Sequence, residues 1–326
     1  MRDIITIGAA TRDVFLLSDR FQLIRSEKFE NGVGECVPLG SKIDIDQKVE
    51  TTGGGATNAA VTFARLGFKT AAICRVGDDA SGREIVVDLG REKVDTTLMR
   101  HVRNGETAYS VLLTAKGGER SILTYRGVSG EFKAADIPWD ALNAHWIYLT
   151  SLGGNHALAA RIAKQAARHG TLLAWNPGGK EMDTGLSAWR QILPSISLLL
   201  LNREEAEKLT GSSEPADAYH KLYVAGARGH VVITNGEKGS DAFSGKQAWH
   251  SGTTDAPSLS RAGAGDAFGS ALVAGLFKGF SLPQALALGT LNAESVVGHI
   301  GAKHGILKKW PTPPMLARVP VKSLIL

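Results

Sequence analysis

Short apolar runs alternate with amphipathic stretches through most of the chain. The stretches between the apolar runs place apolar residues three and four positions apart, the spacing of a helix that is buried on one face. The runs that predict strands are 3–8, 70–76, 145–150, 171–176, 196–201 and 230–234. The stretches that predict helices are 57–66, 80–91, 155–169, 203–210 and 214–225. Strands that are apolar throughout and separated by helices favour a parallel sheet that is covered on both faces.

Two regions interrupt this alternation. Residues 14–52 are polar and lack helical periodicity, and residues 104–128 hold two β-like runs, "TAYSVLLT" and "RSILTYR", joined by "AKGGE". Two such runs around a glycine-containing connection are typical of a β-hairpin. We interpret both regions as a small β-sheet that projects from the main body. Beyond residue 265 the pattern becomes helical again, with a long helix predicted over 283–299 from Pro283.

Composition narrows the class of protein. The 326 residues are 43% hydrophobic and 21% charged, which is typical of a folded globular chain. The net charge is +5, but the basic residues form no tract, so we expect an anionic small-molecule ligand and no nucleic acid. Two cysteines, Cys36 and Cys74, build no disulfide framework or zinc pattern, which indicates a reducing cytoplasm. No apolar run approaches membrane-spanning length, so we expect no membrane partner.

The stretch "SRAGAGDAFGSALVAGL", residues 260–276, combines a glycine-rich turn with a helical run. The free N–H groups and the dipole of such a helix favour an anion at its start. Asp266 alone would be interpreted as a helix cap. Beside Gly263, Ala264 and Gly265, it favours a phosphoryl-transfer site instead. There the amides would stabilise the transferred phosphoryl group while the carboxylate accepts the proton of an attacking hydroxyl.

Two other classes of protein compete with this interpretation. The same stretch is close to a dinucleotide-binding fingerprint, but the preceding "TTDAPSLSRA" is not a buried strand and the spacing differs from G-x-G-x-x-G. A nicotinamide-dependent oxidoreductase is therefore disfavoured, and no Walker A motif is present either. The alternative that stays open is a non-catalytic sugar- or nucleotide-binding protein on the same fold. An intact Asp266 and glycine turn argue against it.

A second glycine-rich turn occurs in "TTGGGATNAAVTFARLG", residues 51–67. Glycine triplets are often simple turns. Here Asn58 stands at the start of the following helix, and its side-chain amide can both donate and accept hydrogen bonds. A polyhydroxylated ligand could lie against the bare backbone with Asn58 holding one hydroxyl.

Four motifs give the chain a family resemblance. They are "GGGATNAAVTFARLGFKTAAICRVGDDASG", "NREE" at 202–205, "TNGEKG" at 234–239 and "GAGDAFGSALVAGL". In this order they resemble the ribokinase-like, or pfkB, family of carbohydrate kinases, which includes ribokinase, fructokinase and adenosine kinase. The resemblance covers about the whole chain, so one domain over residues 1–326 is expected.

The resemblance implies a fold and an activity. The fold would be an α/β, three-layer α/β/α sandwich with a mainly parallel central sheet and a projecting β-sheet lid from about 14–52 and 104–128. The activity would be ATP-dependent phosphorylation of a hydroxyl of a sugar or nucleoside, with Mg²⁺. In several members a second subunit completes the lid, so a homodimer through the lid is also expected.

The resemblance also implies roles for matching residues. Asp266 would be the catalytic base, and Gly263, Ala264 and Gly265 would form the anion hole. The residues expected to contact the acceptor are Asp13, Gly54, Gly55, Asn58 and Arg126. The residues expected to contact the nucleotide are Asn202, Glu205, Thr234, Gly236, Gly239 and Asn292. Asn202 and Glu205 would in addition organise magnesium through water, in keeping with magnesium's tendency to retain water ligands.

The chain departs from the family pattern just before the anion hole. Ser260-Arg261-Ala262 stands where many members carry Asp-Thr-Thr, whose aspartate helps to hold a monovalent cation in several of them. Serine lacks that charge, so potassium activation is not expected. Gly55 stands where ribokinase carries a lysine, so ribose is not favoured. Arg261 could contact a phosphate or a negatively charged acceptor, and the sequence leaves the identity of the acceptor open.

Overall fold

The computed structural model describes residues 1–29, 32–115 and 120–325. Its strands are β1 (Arg2–Ile7), β2 (Thr11–Leu17), β3 (Gln22–Arg25), β4 (Val33–Cys36), β5 (Gln47–Gly53), β6 (Thr70–Ile73), β7 (Arg75–Gly77), β8 (Arg100–Val102), β9 (Ala108–Thr114), β10 (Arg120–Tyr125), β11 (Ala144–Leu149), β12 (Leu172–Trp175), β13 (Leu198–Asn202), β14 (His230–Thr234), β15 (Ser240–Ser244), β16 (Gln247–Ser251) and β17 (Val321–Leu324).

The helices follow the predicted alternation. They are α1 (Gly55–Arg65), α2 (Ala80–Arg91), α3 (His156–Arg168), α4 (Gly179–Met182), α5 (Gly185–Trp189), α6 (Arg203–Thr210), α7 (Pro215–Ala225), α8 (Ala264–Phe277), α9 (Leu282–Val297) and α10 (Pro313–Leu316). Local signals explain several starts: the Asp79 side chain accepts from the amide of Gly82 at the start of α2, and Pro215 opens α7. Across the described ranges, no helix has the length and apolar character needed to cross a membrane.

Nine strands form the main sheet in the order β17-β16-β15-β14-β13-β12-β11-β1-β6. The six strands from β14 to β6 are parallel, as the apolar runs predicted, and β15, β16 and β17 add an antiparallel edge. The sequence analysis did not predict these last three strands. They are short and mix polar with apolar residues, so no continuous apolar run marks them.

Successive side chains of the parallel strands alternate between two helical layers. One face packs against α3, α6 and α7 through residues such as Ile147, Leu199 and Leu222. The opposite face packs against α1, α8 and α9 through residues such as Phe63 and Leu272. The three-layer α/β/α architecture is thus confirmed.

The smaller sheet has four strands in the order β10-β9-β2-β5. Its strands come from the two regions that interrupt the helix–strand alternation. In the first region they run from Thr11 to Gly53, slightly beyond the predicted 14–52. In the predicted hairpin connection "AKGGE", residues 116–119 lie outside the described residues. Because β2 and β5 join this sheet directly to β1 and α1, the smaller sheet meets the main body at the triple-glycine turn, residues 53–55.

The prediction of one strand over 70–76 is wrong. Strand β6 ends at Ile73, and β7 pairs with β8 outside the main sheet. The backbone carbonyl of Cys74 accepts a hydrogen bond from the amide of Arg100, which turns the chain toward its new partner. An apolar run indicates burial, but it does not say which strand supplies the backbone hydrogen bonds.

Candidate active site

Helix α8 starts with a glycine that no other residue replaces easily. Gly263 caps the helix with φ 80° and ψ 0°, a left-handed conformation. A Cβ at this position would also lie 2.8 Å from the Cα of Ala302. The turn therefore brings bare backbone to the start of a 14-residue helix, where unpaired amides and the helix dipole favour an anion.

Asp266 lies in the first turn of α8 and faces the triple-glycine turn. The side-chain amide of Asn58 donates to Asp266 Oδ2 at 2.8 Å. A Cβ on Gly55 would lie 3.1 Å from Asp266 Oδ1 and 3.2 Å from Thr150 at the end of β11. Burial raises the pKa of Asp266, while the hydrogen bond from Asn58 opposes that rise. A raised pKa makes the carboxylate a better acceptor for the proton of an alcohol.

Asn58 has an unused acceptor. Only 4% of the residue is exposed, and its Oδ1 has no hydrogen-bond partner among the described residues. The hydroxyl of Thr51, also buried, is unpaired in the same part of the chain. A buried polar atom without a partner costs about 1–3 kcal/mol. The unpaired Oδ1 of Asn58, beside Asp266, can therefore accept a hydrogen bond from a hydroxylated ligand.

Asp13 lies on β2 in the smaller sheet, opposite Thr51 on β5 and Ser110 on β9. Its Oδ2 covers Gly53 so closely that a Cβ on Gly53 would overlap it. Burial raises the pKa of Asp13 to about 6, against the hydrogen bond from Ser110 and the positive charge of Lys303. The same carboxyl feels the negative charge of Asp266, so the two acids face one region.

Lys303 is a residue of this site that the sequence analysis missed. It is buried, and its Nζ donates to Thr52 Oγ1 at 2.6 Å and to Asp88 Oδ2 at 3.2 Å. Burial lowers the pKa of Lys303, while Asp88 and Asp13 favour the charged ammonium. Lysines are rarely buried, and spacing along the chain gives no sign of the exception. Lys303 fixes the end of β5 and places a positive charge near Asp13.

Asn202 and Glu205, expected near magnesium and phosphates, form a capping box at the start of α6. Asn202 Oδ1 accepts from the amide of Glu205 at 2.8 Å, and Glu205 Oε2 accepts from the amide of Asn202 at 2.9 Å. Burial raises the pKa of Glu205 to about 7, and the charges of Glu181, Glu204 and Asp266 act in the same direction. Several carboxylates therefore share a region in which a cation would be stabilised.

Glu181 is a second residue that the sequence analysis missed. It is buried, and its carboxylate accepts hydrogen bonds from the hydroxyl of Ser151 and from the amides of Leu152, Gly154 and Gly178. It thereby holds the loops that follow β11 and β12. Within the described ranges, no three His, Cys, Asp or Glu side chains are grouped closely enough to hold a metal ion.

A cavity of about 420 Å³ opens beside the start of α8. Its lining residues are Gly236, Glu237, Gly239, Thr253, Asp255, Ala256, Ser258, Arg261, Ala264, Phe268, Thr290, Ala293, Glu294 and Val297. Gly236, Gly239 and Ala264 are among the predicted site residues. Thr234 lies at the end of β14, paired with Asn202 of β13. Of the predicted nucleotide residues, Gly236 and Gly239 therefore line the cavity, while Thr234 and Asn202 lie side by side at the strand ends.

The structure does not support a nucleotide contact for Asn292. The residue is fully buried, its Nδ2 donates to the carbonyl of Ala267 at 2.8 Å, and its Oδ1 accepts from the amide of Leu307 at 2.9 Å. Its amide is used in holding α9 against α8, and Asn292 does not line the cavity. Residues Thr290 and Ala293, on another face of the same helix, line the cavity instead.

Arg126 stands at the end of β10, immediately before a short 3-10 helix over Gly127–Gly130. Its side chain is exposed and makes no hydrogen bond or ion pair with the described residues. Among the described residues, Arg126 makes no contact with Asp13 or Asp266. Its role toward the acceptor stays a prediction.

A known protein family matches most of this chain. Residues 1–309 match the family model described as pfkB family carbohydrate kinase. Fructoselysine 6-kinase of Escherichia coli is 30% identical over 252 residues, covering 77% of this chain and 91% of that protein. A 5-dehydro-2-deoxygluconokinase of Bacillus cereus is 28% identical over 283 residues, covering 80% of this chain and 82% of that protein.

Solved structures share the fold. A ribokinase of Arabidopsis thaliana complexed with ribose and ATP superposes with a TM-score of 0.77 at 24% identity, covering 97% of this chain and 98% of that one. An adenosine kinase of Sinorhizobium meliloti superposes with a TM-score of 0.76 at 24% identity, covering 93% and 95%. At this level of identity the likeness shows the fold alone.

Proposed function

Because this chain belongs to the pfkB family of carbohydrate kinases, we propose that its one catalytic domain transfers the γ-phosphoryl group of ATP to a hydroxyl of a sugar or nucleoside at Asp266. The observation that carries the residue assignment is the contact between Asp266, Asn58 and the triple-glycine turn. It puts a carboxylate of raised pKa, an unpaired amide oxygen and bare backbone at one point.

The proposed reaction assigns each atom a destination. Asp266 accepts the proton of the acceptor hydroxyl as the oxygen attacks the γ-phosphorus of ATP. The bond between that phosphorus and the bridging oxygen breaks, and ADP leaves with the electron pair. The amides of Gly263, Ala264 and Gly265 stabilise the charge on the transferred group, and they need little reorganisation because the turn is already formed.

Magnesium would be held in the region of Glu205 and Asn202. The ion neutralises charge on the phosphates when bound. Burial is the main cause of the raised pKa of Glu205, and the negative charges of Glu181, Glu204 and Asp266, which add to it, support this placement. If it is correct, Glu205→Gln raises the magnesium concentration needed for half-maximal activity, while Glu204→Gln, in the same turn, leaves that concentration unchanged.

The acceptor side of the proposal rests on Asp13, Asn58 and Gly54. A carboxylate and an amide oxygen both accept hydrogen bonds, so they suit a ligand rich in hydroxyls. The relatives named for fructoselysine and 5-dehydro-2-deoxygluconate make these two compounds the first acceptors to test. Arg126 remains a proposed contact at the junction of lid and pocket.

One experiment tests the proposal. The full chain is incubated with ATP, magnesium and, in turn, fructoselysine, 5-dehydro-2-deoxygluconate, fructose, ribose and adenosine, and ADP release is followed. We expect release that depends on one acceptor and disappears in Asp266→Asn. Tight acceptor binding without any ADP release would support a binding protein instead.

The homodimer through the lid stays part of the proposal. Strand β10 exposes Ile122, Leu123 and Tyr125, and apolar side chains on an exposed strand are typical of a contact surface. Analytical ultracentrifugation of the wild type and of Leu123→Lys measures the monomer–dimer equilibrium. The charged variant should shift that equilibrium toward the monomer.

A further inference from the structure

Arg261 bridges two walls of the cavity beside α8. It stands two residues before Gly263, and its Nη2 donates to Glu237 Oε1 at 2.9 Å. Glu237 belongs to the turn between β14 and β15, so the ion pair joins that turn to the loop that opens α8. Both residues line the cavity.

This ion pair is easily exchanged for another partner. The side chains of Arg261 and Glu237 are 61% and 79% exposed. Exposed pairs of this kind contribute little to stability, because water screens both charges. The guanidinium of Arg261 has no other partner among the described residues. Arginine binds phosphate through two parallel, charge-assisted hydrogen bonds, whereas the contact with Glu237 is a single hydrogen bond.

Arg261 differs in charge from the other ionisable residues that line the cavity. Of the lining residues in the described part of the chain, Arg261 is the single cation, whereas Glu237, Asp255 and Glu294 are acids. Glu294 is already engaged, since it accepts hydrogen bonds from the amide and hydroxyl of Thr254. A polyphosphate that reaches the start of α8 through this cavity meets three carboxylates and one guanidinium. Without Arg261 that approach would be electrostatically unfavourable.

We propose that Arg261 is the specificity-determining contact for the polyphosphate of the nucleotide, and that binding passes its guanidinium from Glu237 to phosphate oxygens. This inference rests on the proposed function. It adds Arg261 as a contact residue and Glu237 as the group that competes with phosphate for it. Arg261 should favour nucleotides with a polyphosphate over the bare nucleoside. Glu237 should weaken nucleotide binding, because it competes for the same guanidinium.

The test is calorimetric titration of the full chain with ADP and with adenosine, in the wild type, Arg261→Ala, Glu237→Gln and Lys238→Ala. Lys238 is the matched control, since it is an exposed cation on the same turn and does not line the cavity. We expect Arg261→Ala to weaken ADP binding roughly tenfold or more and to leave adenosine binding within about twofold. Glu237→Gln should tighten ADP binding by about two- to fivefold. Lys238→Ala should bind both ligands like the wild type.

The outcomes separate this inference from the proposed function. If the wild type binds ADP and Arg261→Ala binds it equally well, the inference is overturned while the proposed function stands. Equal weakening of ADP and adenosine binding would also overturn it, because it would assign Arg261 to the base or to the fold. If the wild type binds no adenine nucleotide, the proposed function itself fails.

Discussion

The acceptor end and the nucleotide end of the proposed cleft are built in opposite ways. At the acceptor end, Asn58 and Lys303 are 4% and 6% exposed, and each is held by a hydrogen bond to a fixed partner. At the nucleotide end, the charges of Arg261 and Glu237 stand largely in water. Groups that stabilise a developing charge act best when they are held in place before the reaction. A ligand that must enter and leave instead needs contacts that exchange at a low cost in free energy.

The largest expected effect comes from removing the base at the buried end. Asp266→Asn should lower kcat by about 10² or more and leave ADP affinity nearly unchanged, because general-base assistance is typically of that size. Steady-state kinetics and calorimetry of ADP binding measure the two quantities. Asp217→Asn is the control, since Asp217 is an exposed acid in the first turn of α7, as Asp266 is in the first turn of α8. An equal loss of ADP affinity would contradict the assignment.

A smaller effect should follow from displacing Asp13. Gly53→Ala places a methyl group where Asp13 Oδ2 lies, so the carboxylate must move. We expect the KM for the acceptor to rise about tenfold, the worth of a hydrogen bond to a charged group, while the KM for ATP stays unchanged. Gly90→Ala is the control, because its Cβ would enter open space on α2. A rise in the KM for ATP alone would contradict the prediction, because it would place Asp13 at the nucleotide end of the cleft.

The pH dependence of acceptor binding should reflect the ionisation of Asp13. Burial raises the pKa of Asp13 to about 6, so the ionised form that accepts hydrogen bonds is gained as pH rises from about 5 to about 7. Acceptor affinity should therefore increase by up to about tenfold over that range, as followed by calorimetry. In Asp13→Asn the affinity should be low and independent of pH. A wild-type affinity that falls as pH rises would rule out an ionised Asp13 as the ligand contact.

The smallest effect is expected between the two ends, at Glu205. Its pKa is raised to about 7 in the folded protein, so the free energy of unfolding loses a contribution as pH rises from the unfolded value through about 7. Glu205→Gln keeps a capping side chain and removes the charge. We expect its Tm to exceed that of the wild type by about 2–4 °C near pH ~8 and to match it near pH ~4. Glu204→Gln should show no such difference, and a variant less stable than the wild type at the higher pH would contradict the prediction.

Local patterns in the sequence were sufficient for the frame of this protein. Continuous apolar runs predicted the parallel strands, and the glycine turns marked the places where α1 and α8 begin beside Asn58 and Asp266. These features depend on interactions within a few residues, or on burial that composition already records. The four family motifs then placed the two turns in one site.

Tertiary structure alone decided which side chains face that site. Asn292 looked like a nucleotide contact, but the rotation of α9 against α8 turns its amide into the interior. Lys303 gave no signal, because a lysine is buried only when distant residues such as Asp88 and Thr52 supply its partners. Arg75–Gly77 left the main sheet because β8, distant in sequence, offered the backbone hydrogen bonds. Such choices depend on contacts between residues far apart along the chain, and a single sequence does not record which of them meet.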